Sequence, residues 1–110
     1  KDSYAVDKIN EARIIMKNQQ EKELSPEQIA AEIGVSYSWF RRMFREYTGT
    51  SPAQYLIQQK ILRAKELLTS TSKTISDIAF ALNFENTGQF STFFRKKEGV
   101  TPSEFRNRVH

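Results

Sequence analysis

The sequence predicts an all-α fold in which two helix-turn-helix subdomains are joined by a long linker helix. Apolar residues recur at helical spacing along the chain, and hydroxyl residues followed by proline mark several helix starts. A third observation sets the number of units. FRRMFREYTGTSPAQYL, beginning at Phe40, is answered at Phe90 by FSTFFRKKEGVTPSEFR. Both share F-x-x-Φ-F-R with Φ apolar, then a glycine, a hydroxyl residue with proline, and an aromatic. A repeat of this detail denotes two copies of one device.

The first helix is expected from about Val6 to Gln20, because Val6, Ile9, Ala12, Arg13 and Met16 fall on i, i+3, i+4 spacings before the polar run Lys17–Glu23. Leu24-Ser25-Pro26-Glu27-Gln28-Ile29 then reads as a sharp start. Ser25 is the N-cap, Pro26 takes the first helical position, Gln28 completes a capping box, and Leu24 staples onto Ile29. Gly34 ends that short helix, and Ser36 caps a longer one running to Thr48 and stopped at Gly49. A short helix, a glycine turn and a second helix make a helix-turn-helix, and Ala30 and Ala31 let the two approach closely.

Ser51-Pro52-Ala53-Gln54 opens the linker helix, which carries Tyr55, Leu56, Ile61, Leu62, Leu67 and Leu68 and gives way to the polar stretch Thr69–Lys73. From Pro52 to about Leu68 it would be roughly 25 Å long. The second unit follows the first. Thr74, Asp77, Ile78, Ala79 and Leu82 take the places of Ser25, Gln28, Ile29, Ala30 and Ile33. Asn83 stands for Gly34, being the residue other than glycine that best tolerates a left-handed backbone. Asn86 or Glu85 caps the next helix, Gly99 ends it, and Thr101-Pro102-Ser103-Glu104 opens a last short one carrying Phe105. The expected division is residues 1–50 for the first subdomain, 51–70 for the linker helix and 71–110 for the second subdomain.

Composition narrows the function. A chain of 110 residues with formal charge +4 and a pI near 9.5 favours an acidic partner such as nucleic acid. With no cysteine there is no disulfide framework, thiolate metal site or catalytic thiol, which fits a cytoplasmic protein. No apolar run approaches a membrane span. A start at Lys1 rather than Met suggests a piece of a longer protein.

The repeated helix has two faces. Phe40, Met43, Phe44 and Tyr47 cluster on one side, as do Phe90, Phe93 and Phe94 in the second copy, and both clusters are expected in the core. The opposite face of the first copy presents Ser38, Arg42 and Arg45, with Arg41 on its flank and Tyr37 at the helix start. Arginine offers a planar donor fork that matches guanine in the major groove, and serine bonds either base or phosphate. On the second copy stand Gly88, Thr92 and Arg95, flanked by Thr87, Gln89, Ser91 and Lys96. These shorter side chains imply a helix that approaches the backbone closely and reads fewer bases, or one that reads through methyl contacts and shape. The expected base readers are Tyr37, Ser38, Arg41, Arg42, Thr87, Gly88, Gln89, Ser91 and Thr92. Phosphates fall to Arg45, Arg95 and Lys96, and to the capping positions Ser25, Ser36, Thr74 and Asn86, where helix N-terminal N–H groups gather.

These residues resemble the DNA-binding domain of AraC/XylS-type bacterial transcription regulators over nearly the whole chain. The likeness is strongest in Ser76-Asp77-Ile78-Ala79 through Phe84 and in Phe90 through Arg106. The resemblance implies about seven helices in a homeodomain-like, two-unit arrangement that places its recognition helices in successive major grooves of double-stranded DNA. It also implies Ser38, Arg41 and Arg42 as base-facing positions in the first unit and Thr87, Gly88 and Thr92 in the second. Gly88 departs from the longer polar residues often found there. Family members usually carry a separate effector-sensing or dimerisation domain, and RNA polymerase is a further candidate partner for the faces turned from DNA.

Two rival classes are weaker. Catalysis lacks its groups: the one histidine is His110, and Asp77, Glu85, Glu98 and Glu104 fall at helix starts or on exposed faces. No cofactor or metal is expected. The methyl-accepting repair proteins that share this type of domain need an acceptor cysteine, absent here. A helical protein-interaction module with only non-specific DNA affinity is the alternative, and it predicts a large exposed apolar patch.

Overall fold

A computed structural model of the chain describes residues 2–18 and 23–109. Its elements are all helical: α1 (Ser3–Lys17), α2 (Pro26–Ile33), α3 (Tyr37–Thr48), α4 (Pro52–Ser70), α5 (Ile75–Ala81), α6 (Thr87–Glu98) and α7 (Pro102–Val109). The expected helix end at Gln20 and the terminal His110 lie outside the described residues. Two compact units emerge, Lys1–Gln59 and Lys60–His110, with their boundary inside α4.

In the first unit α1 starts earlier than the apolar period indicates. Asp2 caps it, its carboxylate accepting from the N–H groups of Tyr4 at 3.1 Å and Ala5 at 3.2 Å. Ala5, Ile9, Ala12 and Met16 make its buried face, whereas Val6 is half-buried. The capping box of α2 forms in both directions: Gln28 N–H donates to Ser25 Oγ at 3.2 Å, and Ser25 N–H donates to Gln28 Oε1 at 2.8 Å. Ile29, Ala30 and Ile33 of α2 and Phe40 and Phe44 of α3 complete the core, closed by Leu24, Trp39, Met43, Tyr55 and Leu56. Tyr47, expected inside, is 38 % exposed: it shares the face of Phe40 and Phe44 but stands in the last turn of α3, outside the buried cluster.

The second unit repeats this packing with different material. Ile61, Ala64, Leu67 and Leu68 from α4 meet Ile78, Ala79 and Leu82 from α5 and Phe90 and Phe94 from α6, with Phe84, Phe93 and Phe105 at the edge. Both cores hold an edge-to-face phenylalanine pair, Phe40 with Phe44 at 5.5 Å and Phe90 with Phe94 at 6.0 Å. Tyr55 caps the first pair at 5.2 Å, and Phe105 caps the second at 5.5 Å. A fully buried alanine, Ala12 or Ala64, sits in each first helix. Helix α4 therefore ends one four-helix repeat and begins the next.

α4 continues to Ser70 rather than Leu68. The hydroxyl of Thr69 donates to the Lys65 carbonyl at 2.9 Å and that of Thr71 to the Leu67 carbonyl at 2.6 Å, so these polar residues extend or finish the helix. Beyond it the chain has no glycine to close the end. Arg106 of α7 does so instead: Nε donates to the Leu68 carbonyl at 3.0 Å, Nη1 to Lys73 at 2.6 Å, and Nη2 to Leu67 at 3.4 Å and Thr71 at 3.3 Å. A planar fork with five donors suits this converging set of carbonyls. In the first unit a smaller version appears, Lys8 Nζ donating to the last carbonyl of α2, Ile33, at 2.7 Å.

Arg106→Ala should destabilise the second unit by about 1–3 kcal/mol, because part-buried carbonyls lose their donors, and Arg106→Lys should recover only a minor part. Denaturant unfolding followed by circular dichroism checks this, since the single tryptophan, Trp39, reports on the first unit. Wild-type stability in both variants would refute the clamp.

The start of α7 should respond to acid. Thr101 N–H donates to Glu104 Oε1 at 2.9 Å while Glu104 N–H donates to Thr101 Oγ1 at 3.1 Å. The Thr101 backbone bond first, then its hydroxyl, hold the Glu104 carboxyl below its ordinary value, with Arg95 and Arg108 adding attraction. A carboxylate depressed in the folded state stabilises above its unfolded pKa, about 4.3, and that stabilisation disappears as pH falls through the lowered folded value. Glu104→Gln, which imitates the uncharged Ser25–Gln28 box, should keep the cap and abolish this low-pH step. Amide shifts of Thr101 followed by NMR from pH 6 to pH 2 would show it; an unchanged step in the variant would assign the titration elsewhere.

Candidate nucleic-acid interface

Each unit contains a tight turn between its short and long helices, built on one left-handed residue. In the first, Gly34 has φ +80°, with its N–H bonded to the Ala31 carbonyl at 3.1 Å and Val35 N–H to Ala30 at 3.0 Å. The second uses Asn83 at φ +68°, with Asn83 N–H on Phe80 at 3.0 Å and Phe84 N–H on Ala79 at 3.0 Å. This double closure is the Schellman arrangement, and it delivers the chain directly to the cap of the next helix. Glycine and asparagine are interchangeable here because both tolerate positive φ.

The caps that follow fix where α3 and α6 begin. Ser36 Oγ accepts from Trp39 N–H at 3.2 Å, and Asn86 Oδ1 accepts from Gln89 N–H at 2.8 Å. Ser25 and Thr74 do the same for α2 and α5, the latter at 3.0 Å from Asp77 N–H. All four capping residues are exposed, with their side-chain oxygens engaged on their own helices. What they offer an anion is the remaining N–H groups of the first turn.

With Phe40 and Phe44 fully buried, α3 has one face that cannot rotate, and the opposite face is set by that anchoring. Tyr37, Ser38, Arg41, Arg42 and Arg45 are all exposed on it. Among the described residues no ion pair engages Arg41, Arg42 or Arg45, and Glu46, one turn from Arg42, does not bridge to it. The guanidinium forks therefore stand free. At the start of α3, Trp39 is half-buried and its ring lies 5.8 Å from that of Tyr4, so it packs instead of reaching outward.

Buried Phe90 and Phe94 orient α6 in the same way. Gly88, Gln89, Thr92, Arg95 and Lys96 are exposed, while Thr87 and Ser91 are half-buried. Gln89 is partly committed: its Oε1 accepts from Glu85 N–H at 2.9 Å, leaving the amide N–H groups to face outward. Gly88 has helical backbone, and a Cβ there would meet only Asn86 Oδ1, at 3.4 Å. The glycine answers no demand of the chain itself and leaves the α6 backbone open to close approach.

Arg106 and Lys8 are the structural cations that sequence reasoning missed. Their partners lie 25 to 39 residues away, a separation that no local pattern encodes. No cluster of histidine, cysteine, aspartate or glutamate capable of holding a metal occurs among the described residues. Nor is any helix there long and apolar enough to cross a membrane.

Known proteins share this architecture. Residues 29–108 match the family model described as a helix-turn-helix domain. The HTH-type transcriptional regulator ArgR of Pseudomonas aeruginosa is 34% identical over 101 residues, covering 92% of this chain and 31% of the regulator. The HTH-type transcriptional activator RhaS of Enterobacter is 28% identical, covering 90% of this chain and 36% of that protein. The chain thus spans about a third of the length of such curated relatives. A Chromobacterium violaceum transcriptional regulator with an AraC-type DNA-binding domain superposes with TM-score 0.85 at 34% identity, covering 98% of this chain and 96% of that one. The DNA-binding domain of AdpA, solved in complex with a target DNA, gives 0.82 at 27% identity, covering 91% and 90%. These relatives are regulators of transcription and not enzymes. The chain belongs to the AraC/XylS-type family of helix-turn-helix DNA-binding domains.

Proposed function

We propose that this chain binds double-stranded DNA sequence-specifically, setting α3 and α6 into successive major grooves and so regulating bacterial transcription initiation. The observation that carries the reading is the outward face of α3, where Arg41 and Arg42 stand free of ion pairs on a helix locked by Phe40 and Phe44. Arg41 and Arg42 supply bidentate donors to guanine, with Ser38 and Tyr37 at the helix start. Thr87, Gly88, Gln89, Ser91 and Thr92 read through short contacts, methyl groups and shape. Arg45, Arg95 and Lys96 hold phosphates, helped by the N–H groups at Ser25, Ser36, Thr74 and Asn86.

Successive major grooves on one face of a duplex lie about 34 Å apart. Two units joined by a continuous helix meet both without the dimerisation that a single-unit protein needs. A cytoplasmic location, a companion effector-sensing or dimerisation domain and contact with RNA polymerase complete the reading, in line with the length of the relatives. The alternative, an interaction module with non-specific DNA affinity, draws on Phe80 of α5, which is 81 % exposed. A selection from random duplexes separates the two. Two short elements about one helical turn apart, bound far more tightly than a scramble, support the reader; equal affinities support the module.

Arg42→Ala should lose about 1–3 kcal/mol on the selected site and relax preference at one base pair. Equal losses on matched and scrambled duplexes in a fluorescence anisotropy titration would remove its reading role. Inserting one alanine between Gln58 and Gln59 leaves each core intact, because the cores draw on α4 up to Leu56 and from Ile61. It advances the helix by about 1.5 Å and 100°. Affinity for the selected site should then fall, because the two units no longer meet their elements together; undiminished affinity would mean that the spacing between the units is not read.

A further inference from the structure

The two units differ in charge more than in fold. Residues 1–59 hold eight Lys and Arg against eight Asp and Glu, whereas residues 60–110 hold nine against five, so the whole formal charge of +4 belongs to the second unit. Some of its cations are occupied within the unit: Arg63 pairs with Glu66 at 2.9 Å, Lys65 with Glu98 at 2.8 Å, and Arg106 closes α4. Lys73, Arg95, Lys96, Lys97 and Arg108 are exposed and engaged in no ion pair among the described residues.

The donor chemistry runs the opposite way. The neutral first unit has the long, planar, bidentate donors, Arg41 and Arg42, on its outward helix, and the charged second unit has Gly88, Ser91 and Thr92 at the corresponding face. A unit of zero net charge projects little field beyond a Debye length, about 10 Å at 0.1 M salt. Counterion release is driven by cations laid on phosphates and carries no sequence information.

We infer that the two units divide the work unequally: the second unit supplies most of the sequence-independent electrostatic hold, and the first unit supplies most of the sequence discrimination. This rests on the double-stranded DNA reading above. On non-specific DNA the chain is held by its second unit, with Arg95, Lys96 and Lys97 on phosphates. The first unit engages only where its arginines find their bases.

The test uses the 110-residue chain and fluorescence anisotropy titrations at several salt concentrations, on the selected duplex and on a scramble. Each phosphate contact contributes about 0.9 to the slope of log affinity against log salt. Lys96→Gln with Lys97→Gln should flatten that slope by about 1.8 on both duplexes. Between 50 and 200 mM salt the double variant should therefore lose about twelvefold less affinity than the parent. Its preference for the selected duplex should stay unchanged. Arg41→Ala with Arg42→Ala removes the same charge, and it should remove most of the preference while leaving the slope on the scramble as it was. An equal flattening on the scramble by both pairs would overturn the division, as would a loss of preference on changing Lys96 and Lys97. Adding Glu27→Gln and Glu32→Gln restores the total charge from the first unit. Recovery of the slope by that addition would also overturn the proposal, since total charge would then suffice. Failure of the base-reading function looks different: the parent would prefer no sequence, and the slopes on a random duplex would still locate the anchor.

Discussion

Everything outward on this molecule is set by two phenylalanines, one turn apart, on the inner side of each long helix. Phe40 with Phe44, and Phe90 with Phe94, are wholly buried, and each pair is met edge-on by an aromatic from the following helix. A helix has one rotational degree of freedom about its axis once its start is fixed. Burial of two large rings removes it, because rotating by one residue would carry them toward water at a cost of several kcal/mol. The polar face is a consequence of that anchoring. Arg42 points outward because Phe40 and Phe44 point inward.

Much of this was legible from local chemistry. Ser25-Pro26 with Gln28, Ser36, and Thr101-Pro102 with Glu104 announce helix starts through side chains that satisfy the backbone within three residues. Such signals are complete in the sequence that carries them. Gly34 and Asn83 announce turns for the same reason. Recognition-helix candidates followed from the period of the aromatics, and all of them lie exposed or half-exposed on α3 and α6. Legibility failed where the deciding contact is remote. Tyr47 shares the helical period of the buried rings but stands in the last turn of α3, outside the buried cluster. Asp2 escaped notice because no apolar run precedes Val6. No local pattern marks Arg106 as a clamp, and only the folded chain brings it to Leu67, Leu68, Thr71 and Lys73.

The duplication preserves geometry while exchanging chemistry. Ile33 becomes Leu82, Gly34 becomes Asn83, Tyr55 becomes Phe105, and the uncharged Ser51–Gln54 helix start becomes the titratable Thr101–Glu104 box. Each swap keeps the volume, backbone region or hydrogen bond that its position requires, so the fold is insensitive to it. Surfaces obey no such constraint. There the two copies have parted, toward long forked donors in one and short side chains beneath a cationic helix end in the other.

That α4 closes one unit and opens the next bears on how the chain acquires its structure as it is made. The first core is complete once Leu56 is available, and all its partners lie within the preceding residues, so a nascent chain emerging from the ribosome has a finished unit while the second is still being synthesised. The second unit has no such head start. The carbonyls of Leu68, in its half of α4, and of Lys73 just beyond take their side-chain donor from Arg106, 38 and 33 residues further along the chain. Vectorial synthesis therefore releases all partners of the core beneath the arginine forks before it releases those of the strongly cationic unit.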